Sequence, residues 1–67
     1  MKTQIISTLE NYFFSRIDKH RLNIQIMINN PTAIPEHTDF ADAIEKEIAI
    51  IADYDHKLEV IKKYFKE

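Results

Sequence analysis

Apolar residues in the first 30 positions recur every three or four residues, which is the spacing of one face of an α-helix. The pair Asn29-Asn30 in front of Pro31 ends the pattern, because proline disfavours helical geometry in the residue before it. We therefore predict a first helix from about residue 3 to residue 30. Its inward stripe consists of Ile6, Leu9, Phe13, Ile17, His20, Ile24 and Met27.

A second apolar stripe follows the segment that contains both prolines of the chain. These prolines predict a loop over about residues 31–37, and Thr38 or Asp39 is a suitable N-cap for a helix after it. The second helix is then predicted from about residue 38 to residue 65. Its inward stripe consists of Phe40, Ala43, Ile44, Glu47, Ile51, Tyr54, Leu58, Ile61 and Phe65.

A connection this short makes the two helices antiparallel neighbours, so the predicted fold is a single all-α domain, a two-helix hairpin over residues 1–67. Several apolar side chains fall outside both stripes, where one partner helix does not reach them. Chains of this size bury little surface, and large exposed apolar patches are rare on monomers. We therefore expect a homo-oligomeric helical bundle, with an interface that includes Phe14, Leu22, Ile26, Ile48 and Ile50.

The composition excludes several classes of protein. The chain has no cysteine, which excludes disulfides and thiolate metal sites. It has no glycine, so phosphate-binding loops of the P-loop and Rossmann kinds are excluded, because they need glycine where the backbone approaches a ligand. Nine basic and eleven acidic residues give a net charge of −2, which is too balanced for the basic surface that double-stranded DNA requires.

The sequence contains no apolar run long enough to span a membrane and no hydrophobic leader at its N-terminus. His20, His37 and His56 are not spaced as a chelating pair along one helix. Ser7 and Ser15 have no histidine at a neighbouring helical position that would activate them. We therefore expect a cytoplasmic protein that is not an enzyme and that uses neither a metal nor a cofactor.

Two polar residues interrupt the apolar stripes, His20 in the first and Glu47 in the second. Antiparallel pairing about a loop centred near Ile34 places position i opposite about 68 − i, so His20 and Glu47 lie at the same level. Because an unpaired buried charge is costly, we expect the two side chains to form a buried pair. Such a pair has two interpretations: it fixes the register of the helices, or it forms a pH-sensitive or ligand-binding site.

The segment before the second helix is a candidate anion site. The free N–H groups of a helix N-terminus attract anions, and His37 and Thr38 add hydrogen-bond donors beside Glu36. Glu36 and Asp39 oppose an anion there, however, and ordinary helix capping with a solvated loop accounts for the same residues.

A groove between subunits is a second candidate site. Tyr12 and Tyr54, with Arg16 and Lys19, have the chemistry to accept a planar anionic ligand between bundled helices. Aromatic residues at helical spacing are more often ordinary core residues, which is the alternative for this group.

Four short segments carry a resemblance to a known group of proteins: Asn29-Asn30-Pro31, Pro35-Glu36-His37-Thr38-Asp39, Ile51-Ala52-Asp53-Tyr54-Asp55-His56-Lys57-Leu58 and Lys63-Tyr64-Phe65. Together they resemble small, mostly uncharacterised helical-hairpin proteins of tailed bacteriophages, over most of the chain. In that group the loop before the Glu-His pair tends to contain glycine, whereas here it is Thr32-Ala33-Ile34-Pro35.

The resemblance implies an oligomeric binding protein in the host cytoplasm. Such a protein inhibits or sequesters a host protein or a small anionic, nucleotide-like signal, and counter-defence is one role of this kind. The alternative is a structural or assembly accessory of a virion, which docks on a larger protein through its apolar helix faces.

Overall fold

The computed structural model describes residues 2–30 and 37–66. It contains two α-helices, α1 (Lys2–Asn29) and α2 (His37–Tyr64), each of 28 residues. The helices pack against each other as a hairpin, which confirms the predicted all-α, two-helix architecture. Glu10 of α1 pairs with Lys66, and His20, further along α1, pairs with Glu47. Later residues of α1 therefore contact earlier residues of the second half, so the helices run antiparallel.

The helix ends differ slightly from the predicted bounds. His37, predicted as the last residue of the loop, is instead the first residue of α2, because the helical backbone begins one residue earlier than the capping residues indicate. The rest of the predicted loop, residues 31–36, lies outside the described residues. Asn30 follows α1, and both its backbone N–H and its side-chain amide donate to the carbonyl of Ile26, at 3.0 and 3.2 Å. These bonds satisfy a carbonyl that the end of the helix leaves without a partner.

The interface between the helices is narrow. In the described part of the chain, the residues that are buried are His20 at 7% exposure and Ile61 at 6%. Most other members of the two stripes are half-buried. Leu9 and Phe65 were predicted to point inward but are exposed, because one partner helix covers a narrower strip than the full width of each stripe and Phe65 lies beyond the end of α2.

The hairpin is elongated and exposes more surface than a compact domain of its size. Its extents are 48 × 15 × 11 Å and its radius of gyration is 15.3 Å, whereas a compact chain of this length has a radius near 11 Å (about 2.2·N^0.38). Its accessible surface is 5508 Å², against about 4,450 Å² expected for a folded monomer of the same mass. Within the described residues, neither helix is both long and apolar enough to cross a membrane.

Candidate functional site

The centre of the helix interface is polar. His20 Nδ1 of α1 donates a hydrogen bond to Glu47 Oε2 of α2, and both side chains are largely shielded from solvent. This is the contact that antiparallel pairing predicts, since the two residues interrupt their stripes at the same level. A charge-assisted bond of this kind is stronger than one between neutral groups, and it offsets much of the free energy lost when the carboxylate is removed from water.

Asn23 is a third member of this polar cluster. Its Nδ2 donates to Glu47 Oε1 at 3.1 Å, so each oxygen of the carboxylate accepts a bond from α1. Asn23 lies three residues after His20, a spacing that places the two side chains on the same face of α1. That spacing was present in the sequence, but Asn23 lies at the edge of the apolar stripe and was not predicted to take part.

The contact with Glu47 assigns different roles to the two histidine nitrogens. An ionised carboxylate only accepts hydrogen bonds, so Nδ1 of His20 is the donor when Glu47 is ionised. Nε2 is therefore an acceptor in the neutral ring and a donor in the charged ring. This atom is buried and has no hydrogen-bond partner among the described residues.

Arg16 lies one helical turn before His20 and has a similar buried atom. Its side chain is half-buried, and its Nε has no hydrogen-bond partner within residues 2–30 and 37–66. In the same part of the chain, neither Arg16 nor Lys19 forms an ion pair. Asp18, the acidic residue next to Lys19 in sequence, pairs instead with Arg21 at 3.6 Å.

Aromatic rings meet above this level, towards the open end of the hairpin. Tyr12 and Tyr54 contact edge to face, with ring centroids 6.4 Å apart, and Phe13 lies 5.7 Å from Tyr54. The Nζ atom of Lys57 lies 4.8 Å from the centre of the Tyr54 ring and forms an ion pair with Asp53 at 3.0 Å. Tyr12 remains half exposed, whereas one face of Tyr54 is covered by the ammonium group.

The hydrogen bond to Asp53 raises the pKa of Lys57 above the ordinary lysine value, and the charge of Asp53 acts in the same direction. Desolvation opposes the shift but is smaller in effect. Lys57 is therefore fully charged near neutral pH, with a counter-ion of its own.

An open groove lies at the end of the hairpin opposite the loop. It has a volume of about 590 Å³ and is lined by residues of the first three turns of α1 and by Tyr64, Phe65 and Lys66. Lys66 Nζ forms an ion pair with Glu10 at 3.0 Å across this end. None of the residues predicted to bind a ligand lines it.

Of the two sets of residues predicted to bind a ligand, the structure describes the side chains of only one. It brings Tyr12 against Tyr54, and helical spacing places Arg16 and Lys19 on the same side of α1 as Tyr12. The other group lies outside the described positions: Glu36 entirely, and His37 and Thr38 as far as their side chains are concerned.

No cluster of three or more potential metal-ligating side chains occurs in the described residues. Comparison of the chain with protein-family models, curated proteins and solved structures gives no match. The candidate site is therefore defined by its own geometry: a buried His20–Glu47–Asn23 cluster, beside a face of α1 that carries Tyr12, Arg16 and Lys19.

Proposed function

We propose that this chain is a non-enzymatic binding protein that works as a homo-oligomeric helical bundle. The observation that carries the proposal is the exposure of large apolar side chains on both helices. The five residues predicted at the oligomer interface are between 36 and 54% exposed in the single hairpin. They are Phe14, Leu22, Ile26, Ile48 and Ile50.

The amount of exposed surface suits association with a second copy. One hairpin exposes 5508 Å², about 1,000 Å² more than a compact monomer of its mass. Two hairpins that bury this surplus lose about 2,000 Å² together, which is at the lower end of the range for obligate homodimers. A dimer that forms an antiparallel four-helix bundle is the simplest assembly of this kind.

The buried polar cluster supports a structural role inside such a bundle. A shift of the helices by one turn would separate His20 from Glu47 and leave both without a partner, so the cluster favours one register over the others. This selectivity matters because the apolar stripes are rich in isoleucine and would otherwise pack in several registers of similar free energy.

The oligomer's binding function is sequestration or inhibition of another molecule. The resemblance to small phage proteins suggests a host protein or a small anionic, nucleotide-like signal as the target, in the cytoplasm of the host and as part of a counter-defence. An anionic ligand is supported by the half-exposed Tyr12 and by Arg16 and Lys19, two cations that form no ion pair with the described residues.

A virion accessory is the second candidate, and the same exposed apolar faces favour it. The two candidate functions differ in what covers the exposed apolar faces. In an assembly protein these faces are buried against a larger partner protein, and the isolated chain then associates only weakly with itself.

Sedimentation equilibrium at micromolar concentration tests the proposed oligomer. We expect a multiple of 8.0 kDa, and a folded monomer would overturn the proposal. Ile26→Glu should dissociate the oligomer because it places a charge in the interface. Gln25→Glu adds the same charge at the next residue, which is also exposed but is not apolar, and it should leave the mass unchanged.

Native mass spectrometry of the purified oligomer separates the two candidate functions. A co-purifying small anion, or an oligomer that melts several degrees higher when such an anion is added, supports sequestration, because a ligand that binds only the folded state stabilises it. A predominantly monomeric chain that forms a fixed complex only with a larger protein supports the accessory role.

A further inference from the structure

We propose that Arg16 anchors an oxyanion-binding site on α1, with Tyr12 and Lys19 on either side of it. This inference rests on the proposed binding function and names the chemistry of its ligand, a phosphate or carboxylate group. It starts from the two buried nitrogens that have no partner among the described residues, Arg16 Nε and His20 Nε2.

A buried guanidinium N–H that lacks an acceptor, such as Arg16 Nε–H, is costly because the loss of water is not offset by a new hydrogen bond. Two carboxylates of α2, those of Glu47 and Asp53, are already engaged by other residues. Glu47 accepts from His20 and Asn23, and Asp53 pairs with Lys57. Since Arg16 Nε has no acceptor among the described residues, an acceptor other than water comes from outside the described part of the hairpin.

The arrangement of the neighbouring side chains fits an oxyanion. Tyr12, Arg16 and Lys19 follow one another at four- and three-residue intervals, so they share one face of α1 with successive Cβ atoms about 5–6 Å apart. A guanidinium matches the planar fork of a carboxylate or phosphate, and an ammonium adds a second positive charge. The half-exposed ring of Tyr12 offers a surface to an aromatic or other flat group attached to the anion.

The oxyanion has two possible sources, a free small molecule or a carboxylate of a second copy of the chain. Both satisfy the same donors of Arg16. They differ in whether loss of Arg16 affects the affinity for an added anion or the affinity between copies.

NMR titration of the full-length protein with inorganic phosphate and with phenyl phosphate tests the site. We expect saturable shifts of the Arg16 side-chain Nε–H signal and of the Tyr12 ring signals. Arg16→Gln should weaken binding roughly tenfold or more, as expected for a charge-assisted hydrogen bond, and Arg16→Lys should restore part of it. Arg21→Gln is the matched control, since Arg21 is exposed on the same helix and pairs with Asp18.

Sedimentation of the same variants identifies the source of the oxyanion. If Arg16→Gln abolishes phosphate binding but leaves the oligomer intact, the ligand is a free anion. If the wild type does not bind phosphate, and the oligomer dissociates in Arg16→Gln but not in Arg21→Gln, the oxyanion is a carboxylate of the second copy. If the wild type does not bind phosphate and the Arg16→Gln variant still forms the oligomer, the site does not exist. A wild type that is monomeric but binds phosphate through Arg16 would overturn the proposed oligomer and leave the site standing.

Discussion

His20 of α1 and Glu47 of α2 form the polar contact at the centre of the hairpin, joined through Nδ1 and Oε2. His20 is more deeply buried than any other polar residue in the described chain. The contact therefore lies where a hydrogen bond is strong and where the loss of one partner is expensive.

Replacing Glu47 by leucine should cost about 3 kcal/mol of unfolding free energy, because it leaves His20 and Asn23 without their acceptor in a buried site. The double variant His20→Leu/Glu47→Leu should recover much of this loss, since apolar residues of similar volume pack there and only the amide of Asn23 is left without its acceptor. Urea denaturation of the wild type, both single variants and the double variant, all at one fixed protein concentration, measures these free energies of unfolding. A double-mutant cycle with no coupling would contradict the contact.

Asn23→Ala should destabilise the protein by about 1 kcal/mol, because it removes the bond to Glu47 Oε1 and leaves that oxygen unsatisfied. Asn11→Ala provides the control. Asn11 is exposed in α1 and forms no side-chain hydrogen bond among the described residues, so the better helix propensity of alanine should leave stability unchanged or slightly raised. Equal effects of the two substitutions would show that Asn23 contributes only through helix propensity.

The sequence predicts the part of this structure that follows from periodicity and the chemistry of single residues. Two long apolar stripes separated by prolines predict the two helices, and the polar interruptions at His20 and Glu47 predict the level at which they meet. The role of Asn23 was not predictable in this way, because at the edge of a stripe the rotation of a helix by a few tens of degrees decides whether a side chain is solvated or bonded. Arg16 Nε has no partner among the described residues, and this too depends on how the helices pack. Charge counts along the chain do not reveal which cations already have a partner.

Asp53→Asn should lower the pKa of Lys57, because the hydrogen bond and the charge of Asp53 are what raise it. A raised pKa in the folded state means that the ion pair contributes stability below the pKa of unfolded lysine and loses that contribution as the pH rises through the folded value. The contribution is small, because both side chains are exposed. NMR titration of the Lys57 side chain between pH 9 and 12 measures the change. An unchanged titration in Asp53→Asn would mean that the pair does not form in solution.

Phe65 and Lys66 give a final test of what covers the open end of the hairpin. Lys66→Ala removes an ion pair with Glu10 in which the lysine side chain is half exposed, so it should cost less than about 1 kcal/mol and the effect should shrink in high salt.

Phe65→Ala should behave differently. In a single hairpin Phe65 is 53% exposed, so its removal should change the free energy of unfolding little. In the proposed bundle, a second copy that covers this end would bury the ring. We therefore expect Phe65→Ala to cost at least about 2 kcal/mol, measured by urea denaturation of the oligomer, and to weaken association in sedimentation equilibrium. If Phe65→Ala is no more destabilising than Lys66→Ala and leaves association unchanged, the second copy does not cover this end. The oligomer interface would then lie further along the helices, around Leu22 and Ile48.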